Sequence, residues 1–143
     1  MPMLNVQIMQ GYNSAQKTDL LKKLTQSVVD SVSAPLSSVR VVLQEIPPEH
    51  VIVAGEIGHE MVMITVGLIH GRTDELKAAL IAAMANAVEA AIGVTPQNVR
   101  SILFDLPTTD VGVAGGRTAK AAGREARCLQ FYCMNKTIWA SSH

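Results

Sequence analysis

The sequence predicts an α/β (α+β) fold, in which two tandem β-α-β units form a four-stranded sheet with two helices on one face. Three observations predict it: an internal repeat of sixty residues, the same order of apolar patterns in each half, and strands that are apolar on both faces. The chain has 143 residues, of which 48% are hydrophobic, so it can bury the core of one ordinary domain.

The repeat aligns without gaps. Residues 2–56 match residues 62–116 and are identical at 14 of the 55 positions, among them the arginines Arg40 and Arg100. We therefore divide the chain into a first repeat at 1–56, a linker at 57–61, a second repeat at 62–116 and a C-terminal extension at 117–143.

The first repeat begins with the apolar run MLNVQIMQG, whose length and Val and Ile content predict a strand. A helix follows, because Asn13 can cap it with Gln16 as capping-box partner and because Leu and Val then recur at helical spacing. A second strand, SVRVVLQEI, ends at Pro47. The short apolar piece VIVAGE closes the repeat like a hairpin.

The second repeat has the same order of elements. Its first strand is VMITVGLIHG, Thr73 caps its helix with Asp74 and Glu75 in the first turn, and its second strand, NVRSILFDL, ends at Pro107. The crossover helix makes the two strands of each repeat parallel. Because the sheet face away from the helices is also apolar, we expect other copies of the chain to cover it in a homo-oligomer.

Composition excludes several classes of partner. The formal net charge is zero and aromatic residues make up 3%, so we expect neither nucleic acid nor an anionic membrane. The most apolar stretch, residues 78–94, is interrupted by Asn86 and Glu89 and is too short to span a membrane. The N-terminus has no signal-peptide pattern, and Cys128 and Cys133 are predicted to be reduced thiols of a cytoplasmic protein. The four histidines show no metal-ligand spacing.

These features together resemble the tautomerase superfamily, and within it 4-oxalocrotonate tautomerase, whose short chain spans one such repeat. The resemblance rests on Pro2 after the initiator methionine, the apolar strand ending in Gly, the segment APLSSVRVVLQEI and the Gly-rich hairpin. It covers residues 2–116. It implies a tautomerase-type fold in which one fused chain replaces a dimer of short chains and three such chains assemble as a homotrimer.

The resemblance also implies catalytic residues. The general base of the family is the amino-terminal proline, which here can only be Pro2, since the matching Val62 is internal and has no free amine. One arginine follows the Gly of the first strand and reaches the partner's proline; this place holds Arg72 in the second repeat and Tyr12 in the first. Val62 stands where a second proline would be, and Tyr12 stands where the arginine that serves this proline would be. Both losses fall in the same site, which favours one working site per chain.

Two further family positions stay open. A second arginine comes from a neighbouring dimer in the family and matches Arg40 or Arg100, of which we favour Arg40 because its segment is closer to the family pattern. An aromatic residue of the family's hairpin is replaced by Val51 or Val111, so these positions predict a changed pocket wall and an altered substrate preference.

The chemistry implied is that of a cofactor-independent isomerase that needs no metal. A rigid secondary amine can act as base at neutral pH if nearby arginines and an apolar surround bring its pKa down towards 7. It would move a proton along a small enol or dienol acid of the 2-hydroxymuconate type, while arginines bind the substrate carboxylate and stabilise the enolate oxygen. The base exists only if Met1 is removed, because an acylated nitrogen has no basic lone pair.

Two alternatives stay open as well. A hydratase or dehalogenase of the same superfamily needs a carboxylate near the positions of Val53 and Val113, and a decarboxylase needs an acid just before the strand arginine, where the chain has Ser38 or Asn98. A non-catalytic oligomeric binding protein is the other alternative, and retention of Met1 would favour it.

Overall fold

The chain folds as two β-α-β units, each followed by a short β-hairpin. A computed structural model describes residues 2–124; Met1 and residues 125–143 lie outside the described residues, as do the predictions made for Met1, Cys128 and Cys133. In chain order the strands and α-helices are β1 Met3–Met9, α1 Ser14–Val32, β2 Arg40–Ile46, β3 Ile52–Val53, β4 Glu56–Ile57, β5 Val62–Ile69, α2 Asp74–Ile92, β6 Val99–Leu106, β7 Gly112–Val113 and β8 Arg117–Thr118.

The four long strands form one sheet in the order β2-β1-β5-β6. Within each unit the two strands are parallel, and the two units join through the antiparallel pair β1 and β5 at the centre. In that pair Asn5 faces Thr65, its counterpart sixty residues later, so a pseudo-twofold axis passes between them. The predicted four-stranded sheet of two β-α-β units is confirmed.

The helix starts follow the predicted caps. The Asn13 side chain accepts a hydrogen bond from the Gln16 amide at 2.8 Å, and the Gln16 side chain accepts one from the Asn13 amide at 3.1 Å, which completes the capping box. In the second unit the Thr73 hydroxyl accepts from the Leu76 amide at 3.3 Å. Both helices lie on the same face of the sheet, and their apolar sides supply half of the core.

The core fills the space between the helices and the sheet. Alternate residues of the central strands point into it, and the pseudo-symmetric helix residues Leu24 and Met84 are both fully buried. The other face of the sheet is open in the single chain and carries Met3, Val42, Met63, Ile102 and Phe104, all between 38% and 58% exposed. This open face is the surface on which the predicted oligomer depends.

The hairpins extend past the predicted ends of the repeats. β4 reaches Ile57, which the sequence-based division placed in the linker, and β8 lies in the predicted extension. In the second hairpin, Val111 and Ala119 are buried against Ile69 at the end of β5. Within residues 2–124, neither helix combines the length and apolarity that crossing a bilayer requires.

Candidate active site

Pro2 lies at one end of the sheet, where β1 and β2 begin and β5 ends. The residue is buried, and its carbonyl oxygen accepts a hydrogen bond from the Arg40 backbone amide at 3.1 Å. The next residue, Met3, pairs with Arg40 on one side and with Gly67 on the other. Pro2 therefore lies between the start of β2 and the end of β5.

Arg72 is on the segment that leaves β5, so it comes to the same end of the sheet as Pro2. Gly71 has a φ of 116°, a conformation that favours glycine, and turns the chain between β5 and α2. Arg72 is 9% exposed, and its Nη1 donates to the Ile69 carbonyl at 3.0 Å. This hydrogen bond holds the Arg72 guanidinium beside the C-terminal end of β5.

Arg40 and Arg100 have the same conformation at opposite ends of the sheet. Arg40 Nη1 donates to the carbonyls of Ser37 and Val39 at 2.8 and 3.1 Å. Arg100 makes the two equivalent bonds at 2.8 and 3.0 Å. Within one chain, the structure therefore brings Arg40 to the end that holds Pro2 and places Arg100 beside the start of β5.

Val51 and Val111 lie at the bases of the two hairpins. Each is 6% exposed. Their carbonyls accept equivalent hydrogen bonds, from the Gly58 amide and the Ala119 amide, both at 2.8 Å. In the single chain Val111 packs the second hairpin on Ile69, and neither valine is among the residues that line the two sheet cavities described next.

The first cavity lies on the open face, towards the Pro2 end, and has a volume of about 380 Å³. Its lining is mostly apolar, from Met3, Val42 and Phe104, with Arg40 as its charged residue. Gly67 forms part of the floor, where an added Cβ would come within 3.1 Å of a Leu106 methyl group. An apolar floor with one guanidinium suits a small hydrocarbon chain that carries a carboxylate.

The second cavity surrounds Val62 at the opposite end and measures about 370 Å³. Its lining is mixed: Glu60 and Arg100 are charged, whereas Met61 and Met63 are apolar. The sequence-based reasoning missed this cavity, because it treated residues 57–61 only as a linker. The signal that could have found it is an acidic residue two positions before Val62.

Tyr12 belongs to this second end, where it occupies the position that matches Arg72. Its hydroxyl donates to Glu60 Oε1 at 3.4 Å. Partial burial raises the pKa of Tyr12 above its ordinary value of 10.0, and the charge of Glu60 and their hydrogen bond raise it further. The phenol therefore remains protonated at neutral pH.

Cationic residues come to the Pro2 end from the sheet and from the second hairpin. Arg40 and Arg72 belong to the sheet and to the segment that leaves it, and the hairpin of β7 and β8, which packs on Ile69 through Val111 and Ala119, carries Arg117 and Lys120. Within residues 2–124, the His, Cys, Asp and Glu side chains form no group of three that could hold a metal ion.

Comparison with known proteins extends these observations. The family model described as "Tautomerase enzyme" matches the chain twice, at residues 2–60 and 63–121. A 2-hydroxymuconate tautomerase of Pseudomonas putida is 33% identical over 61 residues, which are 43% of this chain and 97% of that protein. A 2-hydroxymuconate tautomerase of Stutzerimonas stutzeri is 36% identical over 56 residues, which are 39% of this chain and 89% of that protein.

Solved structures resemble the chain over both repeats. One described as a fused 4-OT wild-type symmetric trimer is 56% identical with a TM-score of 0.84, and the match covers 85% of this chain and 99% of that one. A native fused 4-OT is 39% identical with a TM-score of 0.81 over the same shares. The resemblance predicted from the sequence is therefore confirmed: this chain belongs to the tautomerase family, as an isomerase built from two fused tautomerase repeats.

Proposed function

We propose that Pro2, once Met1 has been removed, is the general base with which this tautomerase interconverts the enol and keto forms of small 2-hydroxydienoate or 2-oxo acids. One observation carries the proposal. Pro2 and Arg72 come from different repeats and lie at the same end of the sheet, whereas the opposite end has Val62 and Tyr12 in their places. A base and a carboxylate-binding cation thus coincide at one end only.

The reaction needs only a proton transfer. The free nitrogen of Pro2 accepts the proton of the enol hydroxyl, and the electron pair shifts along the conjugated chain to form the ketone. The proline ammonium then returns the proton to a carbon atom of that chain, which regenerates the amine. Atoms and electrons balance within the substrate and the amine, so the base is restored after each turnover.

The cations at this end have two roles in the proposal. Their charge disfavours the ammonium form of Pro2, and the burial of Pro2 acts in the same direction, so the amine is available as a base at neutral pH. Arg72 binds the substrate carboxylate with its planar fork and stabilises negative charge on the enolate oxygen. Arg72 is held by the Ile69 carbonyl, so it needs little reorganisation during the reaction.

The 2-hydroxymuconate type of substrate is proposed from the relatives, since the curated proteins of Pseudomonas putida and Stutzerimonas stutzeri are named for that activity. The cavity towards the Pro2 end supports the same choice, because its mostly apolar lining fits the hydrocarbon part of a short unsaturated acid. Val111, at the base of the nearby hairpin, is proposed to affect the substrate preference, as is Val51 at the equivalent base.

We propose that the chain works as a homotrimer whose chains associate through the open sheet faces, with the cavities at the two ends of the sheet lying at the edges of the contact. Exposed apolar side chains on that face favour such association, and solved relatives are described as fused 4-OT trimers. A neighbouring chain then supplies the second arginine of each site, for which Arg40 remains our choice over Arg100. The cytoplasm is the proposed location, on the sequence features given above.

A kinetic assay with 2-hydroxymuconate tests the proposal. Intact mass first establishes that Met1 is absent from the purified protein. Pro2→Ala is then expected to lower kcat/KM by about 10²–10⁴-fold, as loss of a positioned general base does, with an unchanged circular dichroism spectrum and oligomeric state. Equal activity of the two proteins, or full activity of protein that retains Met1, would overturn the proline mechanism.

A further inference from the structure

We infer that the cavity around Val62 is a second ligand site, which binds a small zwitterion by placing its carboxylate on Arg100 and its ammonium group on Glu60. Both side chains line this cavity of about 370 Å³. The inference does not depend on the reaction proposed for Pro2, since the site lies at the opposite end of the sheet.

Arg100 and Glu60 are opposite charges that do not neutralise each other. Among residues 2–124 the ion pairs are Lys17–Glu45, Lys23–Asp19 and Lys77–Asp105, so none joins Arg100 to Glu60. A cation and an anion that line one cavity without pairing form two separate attachment points. A ligand that carries both charges satisfies both, whereas a simple anion or a simple cation satisfies one.

Arg100 is oriented to receive a carboxylate. Its Nη1 is fixed by two backbone carbonyls at 2.8 and 3.0 Å. Within residues 2–124, no hydrogen bond is seen for its Nε and Nη2, the pair of donors that binds a carboxylate side-on in two parallel bonds. The guanidinium is thus positioned by the protein and still has its fork available.

Glu60 accepts a hydrogen bond from Tyr12. The Tyr12 hydroxyl donates to Oε1, and because the pKa of Tyr12 is raised it remains a donor throughout the neutral range. This hydrogen bond occupies one carboxylate oxygen and leaves the lone pairs of Oε2 for an ammonium group. The exposed Glu60 carboxylate thus has a long hydrogen bond on Oε1, and Oε2 faces no hydrogen-bond donor among residues 2–124.

The acid belongs to this end only. The Gly58 amide bonds to the Val51 carbonyl in the first hairpin as the Ala119 amide bonds to the Val111 carbonyl in the second, so Gly58 and Ala119 are equivalent. Glu60 lies two residues after Gly58, and the residue two positions after Ala119 is Ala121. The Pro2 end therefore has cations and no acid at this place, and it suits carboxylates. The Val62 cavity is lined by one cation and one anion, Arg100 and Glu60, and Val62 offers no amine base, so we expect the cavity to bind its ligand without converting it.

Methyl NMR of the full-length protein, labelled with [methyl-¹³C]methionine, tests the inference. Met61 and Met63 line the second cavity, whereas Met3 lines the first. The probes are glycine, β-alanine and 4-aminobutanoate, three zwitterions of increasing charge separation, with butanoate and butylamine as singly charged controls. We expect at least one zwitterion to shift the Met61 and Met63 signals saturably, to leave Met3 unshifted, and to bind tenfold or more tightly than either control.

Three variants sharpen the test with the zwitterion that binds best. Glu60→Gln is expected to lower its affinity about tenfold or more while butanoate binds as before, and Arg100→Gln is expected to weaken both. Pro2→Ala is expected to keep the affinity, which separates this site from the proposed reaction. The inference fails if no zwitterion gives a saturable shift, if Glu60→Gln has no effect, or if Met3 responds at the same concentrations.

Discussion

Asn5 of β1 lies directly opposite Thr65 of β5, and the two residues occupy the same position in the two repeats. Each position at one end of the sheet therefore has an equivalent position at the other. The ion pairs Lys17–Glu45 and Lys77–Asp105 are equivalent, with the same 2.5 Å separation. Two pairs of equivalent positions break this symmetry: Pro2 at one end matches Val62 at the other, and Arg72 matches Tyr12. The two ends are therefore chemically different.

Arg72 is expected to control substrate binding and turnover. Arg72→Gln should lower kcat/KM for 2-hydroxymuconate about tenfold to a hundredfold, because a charge-assisted hydrogen bond to the substrate contributes about 1.5–3 kcal/mol. Arg72→Lys should recover part of the loss, since it restores the charge but not the fork. Lys22→Gln, which removes one positive charge from the exposed side of α1, is the control. A well-folded Arg72→Gln protein with undiminished kcat/KM would contradict this role.

Arg40 and Arg100 can be told apart by kinetics. If Arg40 supplies the second cation of the Pro2 site, Arg40→Gln should lower kcat/KM for 2-hydroxymuconate about tenfold or more, and Arg100→Gln should lower it less. The comparison is well matched, because the two side chains make the same pair of backbone hydrogen bonds. The reverse order of effects would assign the role to Arg100.

The open face of the sheet is expected to be the surface through which chains associate. Ile102 lies on that face and is 51% exposed, whereas Ile81 lies on α2, on the other side of the molecule, and is 42% exposed. Ile102→Lys should shift the sedimentation coefficient from that of a trimer to that of smaller species, because it buries a charge in the interface. Ile81→Lys adds the same charge and should leave the assembly intact. Association through the helices would give the opposite result.

Tyr12 is expected to titrate above pH 10. Since its pKa is higher in the folded protein than the ordinary 10.0, its contribution to stability is complete below pH 10 and is lost as the pH rises through the folded value. Phenolate absorbance measures this titration, as the difference between the protein and Tyr12→Phe. Glu60→Gln should lower the pKa of Tyr12 only in part, because burial is the larger cause. A Tyr12 pKa at or below 10 would show that neither effect operates.

The fold followed from the sequence because each local signal agreed with the others. Asn13 and Gln16 formed the expected capping box, and Pro47 and Pro107 stood just beyond the ends of β2 and β6. The gapless repeat then fixed the number of strands. Short-range signals of this kind depend on the chemistry of a few neighbouring residues, which a sequence displays directly.

The Val62 cavity did not follow from the sequence. Glu60 and Tyr12 are far apart in the chain, and only the antiparallel register of β1 and β5 brings the linker to the residues that leave β1. The ends of the hairpins did not follow from the sequence either, because the two-residue strands β4 and β8 depend on pairing with β3 and β7 rather than on a periodic pattern. The second arginine that we propose for the Pro2 site would come from a neighbouring chain, and the repeat pattern does not determine whether it is Arg40 or Arg100.

The antiparallel pairing of β1 with β5 has a kinetic consequence. In a protein made of separate short chains, the two halves of a site meet at a rate set by protein concentration. Here residues 57–61 tether the halves, so they meet at a fixed effective concentration of the order of millimolar. Dilution can separate one whole chain from the next, but it leaves Pro2 and Arg72 together in the same molecule.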